Sequence, residues 1–155
     1  MSLDLSDELP FNEPRQNGFL GHIITNRNYY HQVKDKISKK WFQNPWSGEV
    51  FGLYLAWSKQ YDPHNEKLPS VAEITSTADF LSFDNIKQGK VQGAISLAKS
   101  QAEQFEWVSI VTELTAWLKC RVYLENVTKS TEYFNAKKYD AAFNLLEQSV
   151  TAYQK

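Results

Sequence analysis

The chain has 155 residues, 42% of them hydrophobic and 23% charged, with a net charge of −1. That length allows one domain with a real core plus an appended helical arm. The aromatic content of 14% (five Trp, eight Tyr, nine Phe) supplies enough buriable area to exclude disorder of the whole chain. The charge balance lacks the basic excess of a domain that binds nucleic acid through phosphates. The single cysteine, Cys120, excludes an internal disulfide framework and points to a cytoplasmic setting.

Residues 1–11 are polar with scattered Leu and are expected to form a mobile lead-in. Their acidic start is not a signal peptide. Asn12 is placed to cap a helix that opens on Glu13-Pro14 and carries Phe19, Leu20, Ile23 and Ile24 at helical spacing. A break follows at Asn26–Asn28. Tyr29, Tyr30, Val33 and Ile37 predict a second short helix, and Trp41-Phe42 a bulky plug. Asn44-Pro45 reads as a turn, with Ser47 as the expected cap of a third helix carrying Val50, Phe51, Tyr54, Leu55 and Trp57.

A polar loop spans Pro63–Pro69. Ser70-Val71-Ala72-Glu73 matches a capping box, opening a helix with Val71, Ile74, Ala78 and Leu81. Asp84 opens another, with Ile86, Val91, Ala94, Ile95 and Ala98 as its apolar side. From about Gln101 a long amphipathic helix runs to about Ala136, through Trp107, Ile110, Val111, Leu114, Trp117, Leu118, Val122, Leu124 and Val127. A final helix carries Tyr139, Ala142, Phe143, Leu146, Val150 and Tyr153. A short link between two such helices predicts an antiparallel hairpin. No segment alternates with period two, so no strand is expected. The predicted fold is all-α: a compact bundle of about five short helices over residues 12–100, then a long hairpin over 101–155.

Motifs for chemistry are missing. Gly89-Lys90-Val91 has neither the upstream glycine nor the following hydroxyl of a phosphate loop. His22, His31 and His64 do not pair with Cys or carboxylates at metal-ligand spacing. Glu103 and Glu106 stand one helical turn apart but have no His at the Glu-x-x-His spacing of a di-iron bundle. Cys120 sits on a helical pattern as a small packing residue. No catalytic residue, cofactor or metal is therefore expected. No apolar run reaches the roughly 20 residues of a membrane span. Lys34, Lys36, Lys39 and Lys40 cluster and read first as a solvated helix face, second as a weak nucleic-acid patch.

Two blocks carry a family likeness. The first runs from Gly18 to Ile74: Ile23-Ile24, Tyr29-Tyr30 and Val33, Trp41-Phe42, the helix Val50-Phe51-Gly52-Leu53-Tyr54-Leu55, and Leu68-Pro69-Ser70 opening the next helix. The second runs from Ala94-Ile95-Ser96-Leu97-Ala98-Lys99 through Trp107-Val108 to Trp117-Leu118 and Arg121-Val122-Tyr123. This order resembles the amino-terminal domain of hexameric replicative helicases of the DnaB type, in the form found in T-even-like and marine phages. The resemblance covers roughly residues 15–150 and rests on helix order and apolar positions. It implies a collar domain whose hairpins pair subunits, and which receives a primase or a loader. It also implies that ATP hydrolysis belongs to a separate motor domain, so the chain is either part of a longer helicase or a stand-alone relative.

A competing likeness lies in Tyr133–Phe143, which resembles part of a tetratricopeptide repeat, a peptide-binding adaptor module. No second copy stands upstream at the repeat's period. The hairpin's apolar residues exceed what two helices can hide on each other. A homo-oligomer, dimer or hexamer, is therefore expected, with candidate contacts at Val111, Leu114, Leu118, Val122, Phe143, Leu146 and Val150.

Overall fold

The structure is a computed structural model that describes residues 12–151, with side chains through residue 148. The fold is all-α. The expected lead-in over residues 1–11 lies outside the described residues, as do Tyr153 and the side chain of Val150. The helices are α1 (Glu13–Thr25), α2 (Arg27–Val33), α3 (Pro45–Tyr61), α4 (Val71–Thr75), α5 (Ala78–Leu81), α6 (Asn85–Glu103), α7 (Trp107–Asn135) and α8 (Tyr139–Thr151), with a 3-10 turn at Lys39–Trp41. No strand occurs among the described residues.

Local chemistry sets most of the starts. Asn12 Oδ1 accepts from the Arg15 N–H, and Asn26 Oδ1 from the Tyr29 N–H, so each asparagine satisfies a donor that its helix leaves open. Ser70 Oγ accepts from Glu73 N–H while the Glu73 carboxylate accepts from Ser70 N–H, closing the predicted box. Asp84 caps α6 through the Lys87 N–H.

Several bounds differ from the sequence reading: α2 begins at Arg27 and ends at Val33, before Ile37, the long helix begins at Trp107 and not at Gln101, and α3 and the span from Val71 to Leu81 change as follows. The cap of α3 is Asn44, whose Oδ1 accepts from Trp46 N–H, and Pro45 takes the first helical position. Ser47 is buried instead, and its hydroxyl donates to Asn17 Oδ1. The single helix expected from Val71 to Leu81 is two. Ser76 Oγ donates to Ala72 O and Thr77 Oγ1 to Ile74 O, ending α4, and Thr77 Oγ1 accepts from Phe80 N–H, starting α5. As a result Leu81 is 61% exposed and Phe80 takes the buried place.

The chain divides into two compact units, the first ending at Val111 and the second beginning at Thr112. The first unit is built on α1, α3 and α6, which contact one another. Phe19, Leu20 and Ile23 from α1, Val50 and Phe51 from α3, and Val91 and Ala98 from α6 are fully buried. Trp41 and Phe42 are buried as a plug, Phe42 tilted against Phe51 at 5.9 Å between ring centroids. The expected boundary at 100/101 moves to 111/112 because α6 continues to Glu103. Ala102 and Phe105 then close on Gly21 and Gly18 of α1.

A buried polar cluster ties α2 to α3 and the loop after it. Tyr30 gives its only hydroxyl proton to Tyr54 O at 2.9 Å, so Ser58 Oγ donates to Tyr30 Oη at 2.6 Å. Burial pushes the Tyr30 phenol up to about 12, so it stays protonated. Asp62 ends α3 and accepts from the N–H groups of Glu66 and Lys67 at 2.9 Å each. His31 Nε2 lies 3.6 Å from the same carboxylate and 2.8 Å from Lys67 O. Burial alone pushes the Asp62 carboxyl up. The two N–H groups and the charges of His31 and Lys34 outweigh that and hold it below its ordinary 3.8.

A carboxyl lowered on folding adds stability that is full above 3.8 and is lost as pH falls through the lower folded value. Asp62→Asn is expected to lower the thermal midpoint by several degrees at neutral pH. The deficit should shrink as pH falls below 4. Melting curves from pH 7 to pH 2.5 check this. A deficit that does not change with pH would show that the carboxylate's charge has no part in it.

Candidate subunit-pairing surface

The second unit is the greater part of α7 with α8. α7 carries no Gly or Pro, and it ends in a reversal made by its own backbone. Lys137 takes φ 63°, and the Lys138 N–H reaches back to Tyr133 O at 2.8 Å while the Lys137 N–H bonds Phe134 O. This is the hydrogen-bond pattern with which helices close on a left-handed residue. α8 then lies back against α7. Ser130 Oγ donates to Ala142 O at 2.9 Å, and both residues are buried.

Several large apolar side chains of this unit face solvent. Tyr123 is 58% exposed, Phe134 51%, Tyr139 45% and Phe143 59%. Phe134 and Tyr139 meet edge to face at 5.1 Å across the reversal. Phe143 follows Tyr139 by one helical turn, so the three rings run along one side of the hairpin. At roughly 200 Å² per aromatic residue, these three leave about 300 Å² of surface open. A patch of about this area is at the low end of the largest apolar patch that a typical monomer exposes, and such patches are often functional.

The sequence candidates fall into separate classes. Leu114 and Leu118 are buried within the chain; Val111, Val122 and Leu146 are half-buried; only Phe143 is well exposed. Val150 falls among the side chains outside the described residues. The sequence reading named Tyr139 on the stripe of the final helix but left Tyr133, Phe134 and Tyr139 out of the pairing candidates. The available signal was their density at both ends of a three-residue link.

The basic stretch also divides. Lys34 is 9% exposed, and its ammonium donates to Asn65 Oδ1, a residue held at φ 58° in the loop after α3. Lys36, Lys39 and Lys40 are exposed. Lys34 therefore fastens a loop and is spent within the fold. A cleft of about 550 Å³ opens beside it, lined by Asp35, Ile37, Leu55, Lys59 and Asp62 among others.

The remaining candidates for chemistry lie apart. His22 Nε2 is 3.2 Å from Phe105 O and its ring edges onto Trp107, while His64 is exposed in a loop. Glu103 ends α6 and Glu106 precedes α7, so the two do not share a helix. Among the described residues no group of three or more His, Cys, Asp or Glu is placed to hold a metal ion. Among them, too, no helix is long and apolar enough to cross a membrane. Comparisons with protein-family models, with curated proteins and with solved structures find no match.

Proposed function

We propose that the chain is a non-catalytic assembly domain that joins copies of itself through its α7–α8 hairpin. The observation that carries this reading is the open run of Phe134, Tyr139 and Phe143 on an element that also holds Tyr123 in solvent. A two-fold pairing would place the same patch of each copy against the other. The rings would then contribute about 300 Å² from each side, toward the roughly 800 Å² per partner of a stable complex.

The setting proposed for this domain is the amino-terminal collar of a DnaB-type replicative helicase, in which such pairs close into a ring and a primase or loader docks. The support for it is the order of helices and apolar positions set out above. On this reading ATP is hydrolysed elsewhere, and a preparation of this chain turns over no ATP above a buffer control. Nucleic-acid binding by the domain alone is weak or absent, and the spending of Lys34 on Asn65 favours that.

Sedimentation velocity at micromolar concentration tests the pairing. A dimer or larger species in reversible exchange is the expected result. A strictly monomeric protein whose circular dichroism shows the helices intact would overturn it.

A further inference from the structure

A second open surface lies in the first unit, on the outward side of α6. The buried side of this helix is Val91, Ala94, Ile95, Ala98 and Ala102. With about 100° of turn per residue, Ile86, Gly89, Gly93 and Leu97 fall on the opposite side, at successive turns. Ile86 is 78% exposed and Leu97 39% exposed. Two branched apolar side chains therefore stand in water at the ends of a strip whose middle carries no side chain at all.

Nothing inside the chain asks for those glycines. A Cβ added at either Gly89 or Gly93 meets no atom within 4 Å. Each destabilises an exposed helix relative to alanine. The strip is a shallow groove between two apolar posts, with a bare backbone floor.

Charge narrows what fits there. From Asn85 through Ala102 there is no Asp or Glu, while Lys87, Lys90 and Lys99 are present. Lys90 is exposed and borders the strip beside Leu97, while Lys99 is half-buried on the other flank, between the strip and the buried side. Lys87 lies over the Phe83 ring at 4.1 Å. Between the capping Asp84 and the terminal Glu103, a basic partner would meet only like charge, whereas an acidic one would meet complementary charge.

We propose that the outward face of α6 is a docking site for an acidic amphipathic helix from another protein. Its apolar ridge lies over Gly89 and Gly93 between Ile86 and Leu97, and its carboxylates flank that ridge and meet Lys90 and Lys99. The site is built from residues of the first unit and the hairpin patch from residues of the second, so each is tested by its own variants.

The probe is a synthetic helical peptide of about five turns with Leu at every third or fourth position and Glu on both flanks. A second peptide carries Lys in place of Glu. Fluorescence anisotropy with the full chain is expected to show binding of the acidic peptide and at least a tenfold preference over the basic one. The double variant Gly89→Ala, Gly93→Ala is expected to melt a few degrees higher, because its methyl groups enter open space on a better helix former. It should nonetheless bind the acidic peptide about tenfold more weakly, because the floor is filled. Lys90→Glu should weaken acidic-peptide binding and leave the melting temperature in place. Equal binding of the two peptides, unchanged binding by the double alanine variant, or no binding at about 1 mM peptide would each overturn the proposal.

Discussion

Gly21→Ala is expected to destabilise the protein by about 3 kcal/mol, and to lower its thermal midpoint by about 10 °C. The reason is the closeness of α1 and α6. A Cβ at Gly21 would stand 2.1 Å from Ala98 O and 2.6 Å from Ala102 Cβ. The first atom is backbone and cannot swing aside. The helices would have to separate, and that would loosen Leu20, Ile23 and Ala98, which are fully buried around the contact. Helix propensity pulls the other way by about 1 kcal/mol, since alanine is the better helix former. Gly89→Ala isolates that opposing effect, because its methyl group meets nothing. Chemical denaturation of the two variants side by side measures both. A Gly21→Ala protein as stable as the parent would mean that α1 and α6 are not locked at this distance.

The same contact shows where sequence reasoning stops. The spacing of Phe19, Leu20, Ile23 and Ile24 marks a buried helix face, and caps such as Asn12, Ser70 and Asp84 are legible because the hydrogen bonds they make are local. Gly21 looks like any helical glycine until the partner helix is in place. The division of α4 from α5 was equally hidden. The apolar spacing of Val71, Ile74, Ala78 and Leu81 suits one helix, and the hydroxyls of Ser76 and Thr77 override it by bonding nearby carbonyls.

The sequence reading put Ile86 on the apolar side of its helix, but five residues before Val91 it lies across the axis from Val91 and Ala98 and stands in solvent. On the hairpin, periodicity identifies apolar positions without saying which of them the chain covers for itself. Leu114 and Leu118 are covered; Phe134, Tyr139 and Phe143 are not. Which large side chains remain open is a tertiary fact, and any pairing surface must be chosen from those.

That choice leads to the second large effect. On the proposed pairing, Phe134→Asp together with Phe143→Asp is expected to weaken self-association by a factor on the order of 100 or more. Central aromatic residues of an interface typically cost about 2 kcal/mol or more each when lost, and a buried carboxylate without a partner adds to that. Two-fold symmetry doubles the number of affected contacts, because one substitution appears on both sides of the interface. The monomer should be little disturbed, since both rings are more than half exposed and give up little internal packing. Leu118→Ala is the contrasting variant. Leu118 is 6% exposed, so its truncation should lower the melting temperature, with a cavity cost of about 2–5 kcal/mol. Sedimentation equilibrium and thermal melting on the same samples separate the two kinds of effect. If the aspartate variant associates as tightly as the parent while remaining folded, the aromatic run is not the surface through which copies meet.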